Sequence, residues 1–308
     1  MGLSEIRNEN VMKIIVCAKQ IRHTYARTGI SPESHYICPE DGVYRVNPHD
    51  EAALELALRL KDEGEKITVT LLTLGPMIAQ HEIQRCLAAG ADDLHQIKVN
   101  GHPPSHSDPL DQPDPWVKSD LLARAVRELR GDLVLCGKES LDKSSGQVGA
   151  LLAHRLDRPF VSAITDLSLD QTGGILQVQR SAGRGIREII ECRLPAVLSV
   201  DLGSDLRLPK FAQRQWAEAY IPRQLDYGAD VDDPKIVCIR RFQPRPRPKM
   251  VSAPDSRLHA YDRIMQLLTG STVEKKGEML TGSPESQVEG ILAFLKTNGF
   301  LESERSDE

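Results

Sequence analysis

Along the first half of the chain, apolar positions fall into short runs whose period switches between two and three to four. Val11–Ala18 (VMKIIVCA) is a compact run rich in β-branched residues and predicts a first strand. Glu51–Glu63 repeats Ala53, Leu54, Ala57, Leu58 and Leu60 at helical spacing, behind an Asn47-Pro48 start suited to a helix N-terminus. The alternation continues with a strand at Ile67–Leu74, a helix at Ile78–Ala89 stopped by Gly90, and a strand at Leu94–Val99. After an aperiodic loop at residues 100–116, Lys118–Arg130 predicts a helix, Asp132–Cys136 a strand and Ser144–Leu156 a helix. Strands that alternate with helices imply a mostly parallel, Rossmann-like α/β sheet covered on both faces.

The pattern changes after Arg158. Phe160–Leu169, Ile175–Gln179 and Ile186–Cys192 predict strands joined by tight connections at residues 170–174 and 183–185, an antiparallel hairpin appended to the sheet. Ala196–Asp201 predicts one more core strand, and Lys235–Arg241 a further one. From about residue 209 apolar content thins, Gln243–Lys249 (QPRPRPK) reads as an extended linker, and Leu258–Leu268 and Gln287–Leu295 predict amphipathic helices. The expected division is an α/β nucleotide-binding domain at residues 1–222. A C-terminal arm at 223–308, with too little core to fold alone, would lie on a partner.

Composition narrows the class. A chain of 308 residues, 40% hydrophobic and 27% charged, fits a globular protein. The net charge of −5 argues against a nucleic-acid binder, and the basic residues Arg240, Arg241, Arg245, Arg247 and Lys249 are interleaved with prolines as in an extended arm. Six dispersed cysteines, with no CxxC, fit a reducing compartment. No run has the length of a membrane span and the start has no signal-peptide pattern, so the expected location is the cytoplasm. No nucleophile elbow, HExxH or catalytic carboxylate pair is present, so no acid, base or nucleophile of its own is expected. His102 and His106, with Asp108, Asp111 and Asp114, lie in the proline-rich loop, which reads as solvated rather than metal-binding.

In an open parallel sheet, ligands settle beyond the carboxyl ends of the strands. Three segments meet that description: Cys17-Ala18-Lys19, Asn47–Asp50, and Gly137–Gly149 (GKESLDKSSGQVG). In the last, Gly137, Gly146 and Gly149 permit tight backbone, Ser144 and Ser145 can cap the following helix, and Lys138 and Lys143 add positive charge. Such a loop can cradle a phosphate or be an ordinary capped strand–helix connection, since it matches neither the Walker A nor the GxGxxG pattern.

These segments resemble, in order, those of the electron-transfer flavoprotein beta-subunit family. The resemblance runs through the first strand with Lys19, Asn47-Pro48 with Asp50-Glu51, Leu74-Gly75-Pro76, Ala88–Asp92, Asp132–Lys138 continuing through Leu141-Asp142 and Gln147 to Gly149, and Leu194–Val197 with Val200–Leu202. It implies AMP held at Cys17, Ala18, Asn47, Pro48, His49, Asp50, Leu74, Gly137, Lys138, Asp142, Ser144, Ser145, Gly146, Gln147, Val148 and Gly149. FAD would sit largely on an alpha subunit, with a flavin dehydrogenase as donor and a quinone reductase or another acceptor downstream. The loop departs from the family's acidic run, and Val148-Gly149 leans towards bifurcating relatives whose beta subunit holds a second FAD instead. The segment that recognises the dehydrogenase in the family is reduced to Arg207-Leu208-Pro209-Lys210-Phe211, which places docking on Arg207, Lys210 and Phe211. Two other readings are an ATP-binding enzyme or sensor of the related α/β superfamily, with Asp142 as metal carboxylate, and a scaffold subunit without nucleotide.

Overall fold

The first strand, β1 (Met12–Cys17), shows how the sequence builds two layers. Its side chains alternate, so Ile14 and Val16 enter one core while Ile15 and Cys17 enter the other. The same holds for β4 (Ile67–Leu74), where Val69 and Leu71 face the first core and Leu72 and Leu74 the second. A strand apolar on both faces must be covered on both, and helices do this. On one side lies α1 (Pro48–Glu63), whose Leu54, Leu58 and Leu60 are fully buried; α2 (Gln80–Ala88) and α5 (Phe211–Glu218) also feed that core. On the other side lie α3 (Pro115–Leu129) and α4 (Val148–Leu156), packed on each other. Each buried leucine contributes about 1.5–3 kcal/mol of transfer free energy.

The computed structural model describes residues 11–23, 42–64, 66–99, 113–170, 174–228, 235–237, 258–269 and 281–297. The loop at 100–112 with His102, His106, Asp108 and Asp111, the Gln243–Lys249 segment and most of the strand expected at Lys235–Arg241 lie outside them. Among the described residues, β5 (Asp93–Ile97), β6 (Leu133–Gly137), β7 (Phe160–Leu169), β8 (Ile175–Gly183), β9 (Ile186–Arg193), β10 (Ala196–Val200) and β11 (Arg223–Leu225) complete a nine-stranded sheet. Its order is β11-β5-β4-β1-β6-β10-β7-β8-β9. The pairs from β11 to β7 are parallel, and β7-β8 and β8-β9 are antiparallel, as the hairpin pattern predicts.

The order contains a reversal. From β1 the chain moves outward through β4 to β5, then returns through α3 to place β6 on the opposite flank of β1. Crossovers leave β1 and β6 in opposite directions, so their carboxyl ends border a crevice, the topological switch point of an open α/β sheet.

Several elements depart from the sequence pattern. β2 (Gln20–Arg22) and β3 (Tyr44–Val46) form a small antiparallel pair where the sequence reads as polar connection. α5 and β11 occupy the thinning region after residue 209, and β11 adds to the sheet edge beside β5. The helix expected from Ser144 begins at Val148. The chain forms two compact units, Met1–Pro246 and Arg247–Glu308. The second contains α6 (Ala260–Thr269) and α7 (Pro284–Thr297), with Tyr261, Ile264, Val288, Ile291 and Leu292 exposed. No described helix is long and apolar enough to cross a membrane.

Candidate functional site

The crevice between β1 and β6 is closed from below by the first turn of α1. Asp50, nearly fully buried, accepts the Lys19 N–H at 2.7 Å through Oδ2 and the Gly137 N–H at 2.8 Å through Oδ1. One carboxylate thereby ties the two strand ends together where they splay. Burial pushes the Asp50 carboxyl up to about 7, against the pull of those two N–H donors and of the Lys19 charge. Gly137 has no room for a side chain: a Cβ there would stand 2.3 Å from Asp50 Oδ1 and 2.7 Å from His49 Cβ.

Asn47 occupies the N-cap position of α1, where the sequence suggests a side-chain cap. Its amide instead crosses the crevice, donating to Glu139 O at 2.9 Å and accepting from the Leu141 N–H at 3.3 Å. His49 is buried, with Nε2 3.7 Å from Asp201, and Asp201 also takes the Lys138 ammonium at 3.0 Å. Burial lowers the His49 pKa even with Asp201 nearby, which favours a neutral imidazole at pH 7. His49 Nδ1 is buried without a hydrogen-bond partner among the described residues.

The loop itself is pinned at its near end. Lys19 donates to both Asp142 oxygens, at 2.6 and 2.8 Å, and to Ser140 Oγ at 3.0 Å. Burial alone would raise Asp142, but the Lys19 charge and hydrogen bonds outweigh it and hold the carboxyl below its usual value. Past Asp142 the chain turns sharply. The Ser144 N–H and hydroxyl both return to Ser140 O, and Ser144 takes a left-handed φ of 45°. This removes Ser144 from the helix start, so neither serine caps α4; Gln147 holds the N-cap position without a side-chain cap. Gly146, at φ 61°, completes the turn, and Lys143–Gln147 are exposed. Successive amides in such a turn, leading into a helix N-terminus, form a concavity suited to an anion.

The structure thus brings Asn47, His49, Asp50, Gly137, Lys138 and Asp142 into one bonded network around the switch point. Cys17, Ala18 and Leu74 end the adjoining strands as buried side chains; burial keeps the Cys17 and Cys136 thiols protonated at neutral pH. Pro48 opens α1, Ser145 belongs to the exposed turn, and Val148 and Gly149 form the first turn of α4. Lys19, Ser140 and Asp201 complete the network; Lys19 and Asp201 lie in segments that carry the resemblance and Ser140 in the Gly137–Gly149 loop, but none is among the residues expected to hold nucleotide. Among the described residues no His, Cys, Asp and Glu group is arranged to hold a metal.

Arg207, Lys210 and Phe211 belong to the separate segment after β10. The Arg207 guanidinium is committed within the chain, with Nε and Nη2 on Glu55 at 3.0 Å and Nη1 on Asp62 at 2.6 Å. It anchors the segment to α1 and leaves Leu208, 91% exposed, and Phe211, 75% exposed, facing outward, with Lys210 exposed between them.

A family model for the electron transfer flavoprotein domain matches residues 37–215, more than half of the chain. The caffeyl-CoA reductase–Etf complex subunit CarD of Acetobacterium woodii is 33% identical over 189 residues, 61% of this chain and 68% of that one. Protein FixA of Azotobacter vinelandii is 33% identical over 197 residues, covering 63% and 67%. The electron transfer flavoprotein subunit beta of Bacillus subtilis is 28% identical over 265 residues, covering 84% and 88%. With the strand order and crevice described above, these matches establish that the chain belongs to the electron-transfer flavoprotein beta-subunit family.

Proposed function

We propose that this chain is the beta subunit of a heterodimeric electron-transfer flavoprotein that binds AMP at its own switch point and works with an alpha subunit carrying FAD. The observation that carries this reading is the exposed Lys143–Gln147 turn, with left-handed Ser144 and Gly146, at the carboxyl ends of β1 and β6 beside the Lys19–Asp142 pair. A phosphate fits there: amides and the start of α4 supply donors, and Gly137 clears the crevice floor. The AMP contacts are those named from the resemblance, Cys17, Ala18, Asn47–Asp50, Leu74, Gly137, Lys138, Asp142 and Ser144–Gly149. The redox chemistry belongs to the flavin, and the beta subunit contributes binding and positioning.

The assembly takes electrons from a flavin dehydrogenase, docked through Leu208 and Phe211 on the segment that Arg207 anchors, and passes them to a quinone reductase or another acceptor in the cytoplasm. The loop ending Gln147-Val148-Gly149 favours a second reading, in which the same amides hold the diphosphate of a second FAD.

β11, at the start of the arm expected at residues 223–308, belongs to the sheet, and the second unit, Arg247–Glu308, serves the alpha subunit in this account. The exposed apolar residues of α6 and α7 motivate that assignment. Deleting residues 250–308 is expected to weaken the heterodimer by at least about tenfold, as loss of an apolar contact surface should. Sedimentation or biolayer interferometry with the purified alpha subunit measures it; an unchanged dissociation constant would remove the tail from the interface.

A further inference from the structure

Lys118 stands in the first turn of α3, and its side chain is almost wholly buried, at 7% exposure. Burying an ammonium is costly unless an anion accompanies it. None does among the described residues: the Lys118 backbone N–H makes the ordinary helical bond to Asp114 O, and its ammonium has no hydrogen bond or ion pair there. The carboxylates whose charge reaches it are Asp142 and Asp114. Lys19 already occupies both oxygens of Asp142, and Asp114 accepts the Trp116 N–H at 2.8 Å as the N-cap of α3. The remaining neighbours in charge are Lys19 and Lys143, which are themselves cationic. Burial, reinforced by those two lysines, lowers the Lys118 pKa to about 7.

The position is built rather than incidental. Arg155 of α4 clamps the start of α3, donating to Ser119 Oγ at 2.8 Å, Trp116 O at 3.0 Å and Asp120 at 3.0 Å, with its guanidinium 4.2 Å from the Trp116 ring centroid. In a parallel sheet, a crossover helix starts at the end where the strands finish. Lys118 therefore lies at the crevice end of the molecule, within electrostatic reach of Lys19 and of Asp142 and Lys143 in the loop.

We propose that Lys118 is a phosphate-binding residue of the nucleotide site, supplying from α3 a cation that the Gly137–Gly149 loop lacks on its buried side. This rests on the reading of that loop as a nucleotide site and adds to it the group that discriminates a phosphorylated ligand from its nucleoside. AMP carries close to two negative charges at neutral pH. Its phosphate would complete the missing pair and hold Lys118 protonated, whereas adenosine would gain nothing from the lysine.

The test uses the heterodimer stripped of bound nucleotide and titrated calorimetrically with AMP and with adenosine. Lys118→Met, which keeps the length and burial of the side chain, should weaken AMP by at least about tenfold while leaving adenosine unchanged. The stripped variant should melt at or above the wild-type temperature, since a charge without an ion-pair partner has been taken from a mostly buried side chain; this excludes misfolding as the cause. Lys118→Arg should recover part of the AMP affinity. Wild-type affinity for AMP in Lys118→Met would overturn the proposal and leave the nucleotide site standing. Equal losses for AMP and adenosine would also overturn it, as the mark of a structural role. Failure of the stripped wild-type heterodimer to bind AMP would overturn the site reading and the proposal together.

Discussion

Gly137→Ala is expected to destabilise the α/β unit by about 3 kcal/mol or more, at the upper end of what overpacking costs. The added Cβ would stand 2.3 Å from Asp50 Oδ1, 2.7 Å from His49 Cβ and 3.0 Å from Asn47 Nδ2. None of these neighbours is free to yield. Asp50 is held by two backbone donors, His49 Cβ is fixed to the α1 backbone, and Asn47 is bonded across the crevice to Glu139. By contrast, a Cβ at Gly131 would meet one side chain, Ile15, at Cδ1 2.4 Å and Cγ1 2.9 Å, and that side chain has no hydrogen bond to hold it in place. The measurement is urea unfolding of both variants beside the wild type. Gly137→Ala should lower the midpoint markedly and Gly131→Ala much less; equal midpoints would show that the crevice floor is not tightly closed.

Asp50→Ala should cost a similar amount for the opposite reason. It leaves the Lys19 and Gly137 N–H groups facing a cavity, and each buried donor without a partner costs about 1–3 kcal/mol. Removal of a buried carboxyl that burial pushes up to about 7 returns part of this, so roughly 2–4 kcal/mol is expected. The two substitutions touch each other, and their energies should not add. With the carboxylate gone, the closest of the three clashes at position 137 disappears. The double variant should therefore be more stable than the sum of the single losses implies, as read from the same urea midpoints. Simple additivity would contradict the contact on which both predictions rest.

The parallel core is legible in the sequence because its segments are long and strongly patterned. Ile67–Leu74 is a strand at the residues its pattern predicts, and the hairpin of β8 and β9 follows the strand–glycine–strand rhythm of residues 175–193. β2, β3 and β11 are three residues each, too short to show a period, and their existence depends on pairing partners elsewhere in the chain. α4 begins four residues later than its pattern suggests because Ser144 bonds back to Ser140, a competition between local turn and helix that composition does not reveal.

Within the crevice, the segments are legible and their wiring is not. The three strand-end segments come together as sequence order in a parallel sheet implies. That Asn47 bonds the β6 loop rather than its own helix, or that Lys19 reaches Asp142, depends on contacts spanning about a hundred residues. Arg207 illustrates the converse. An arginine in a surface-like segment suggests docking, yet a buried glutamate about two turns into α1 captures it. Lys118 looks like any polar position of an amphipathic helix until its burial is known.

Nucleotide and flavin content of the heterodimer is the measurement closest to the central claim. The chain is co-expressed with the alpha subunit, the complex is purified and heat-denatured, and the released cofactors are quantified. The account predicts about one FAD and about one AMP per heterodimer, with AMP lost in Gly137→Ala while FAD on the alpha subunit remains. A complex that releases FAD but no adenine nucleotide attributable to this chain would contradict a nucleotide site at Gly137–Gly149. About two FAD and no AMP would keep the site and replace its ligand with the second flavin.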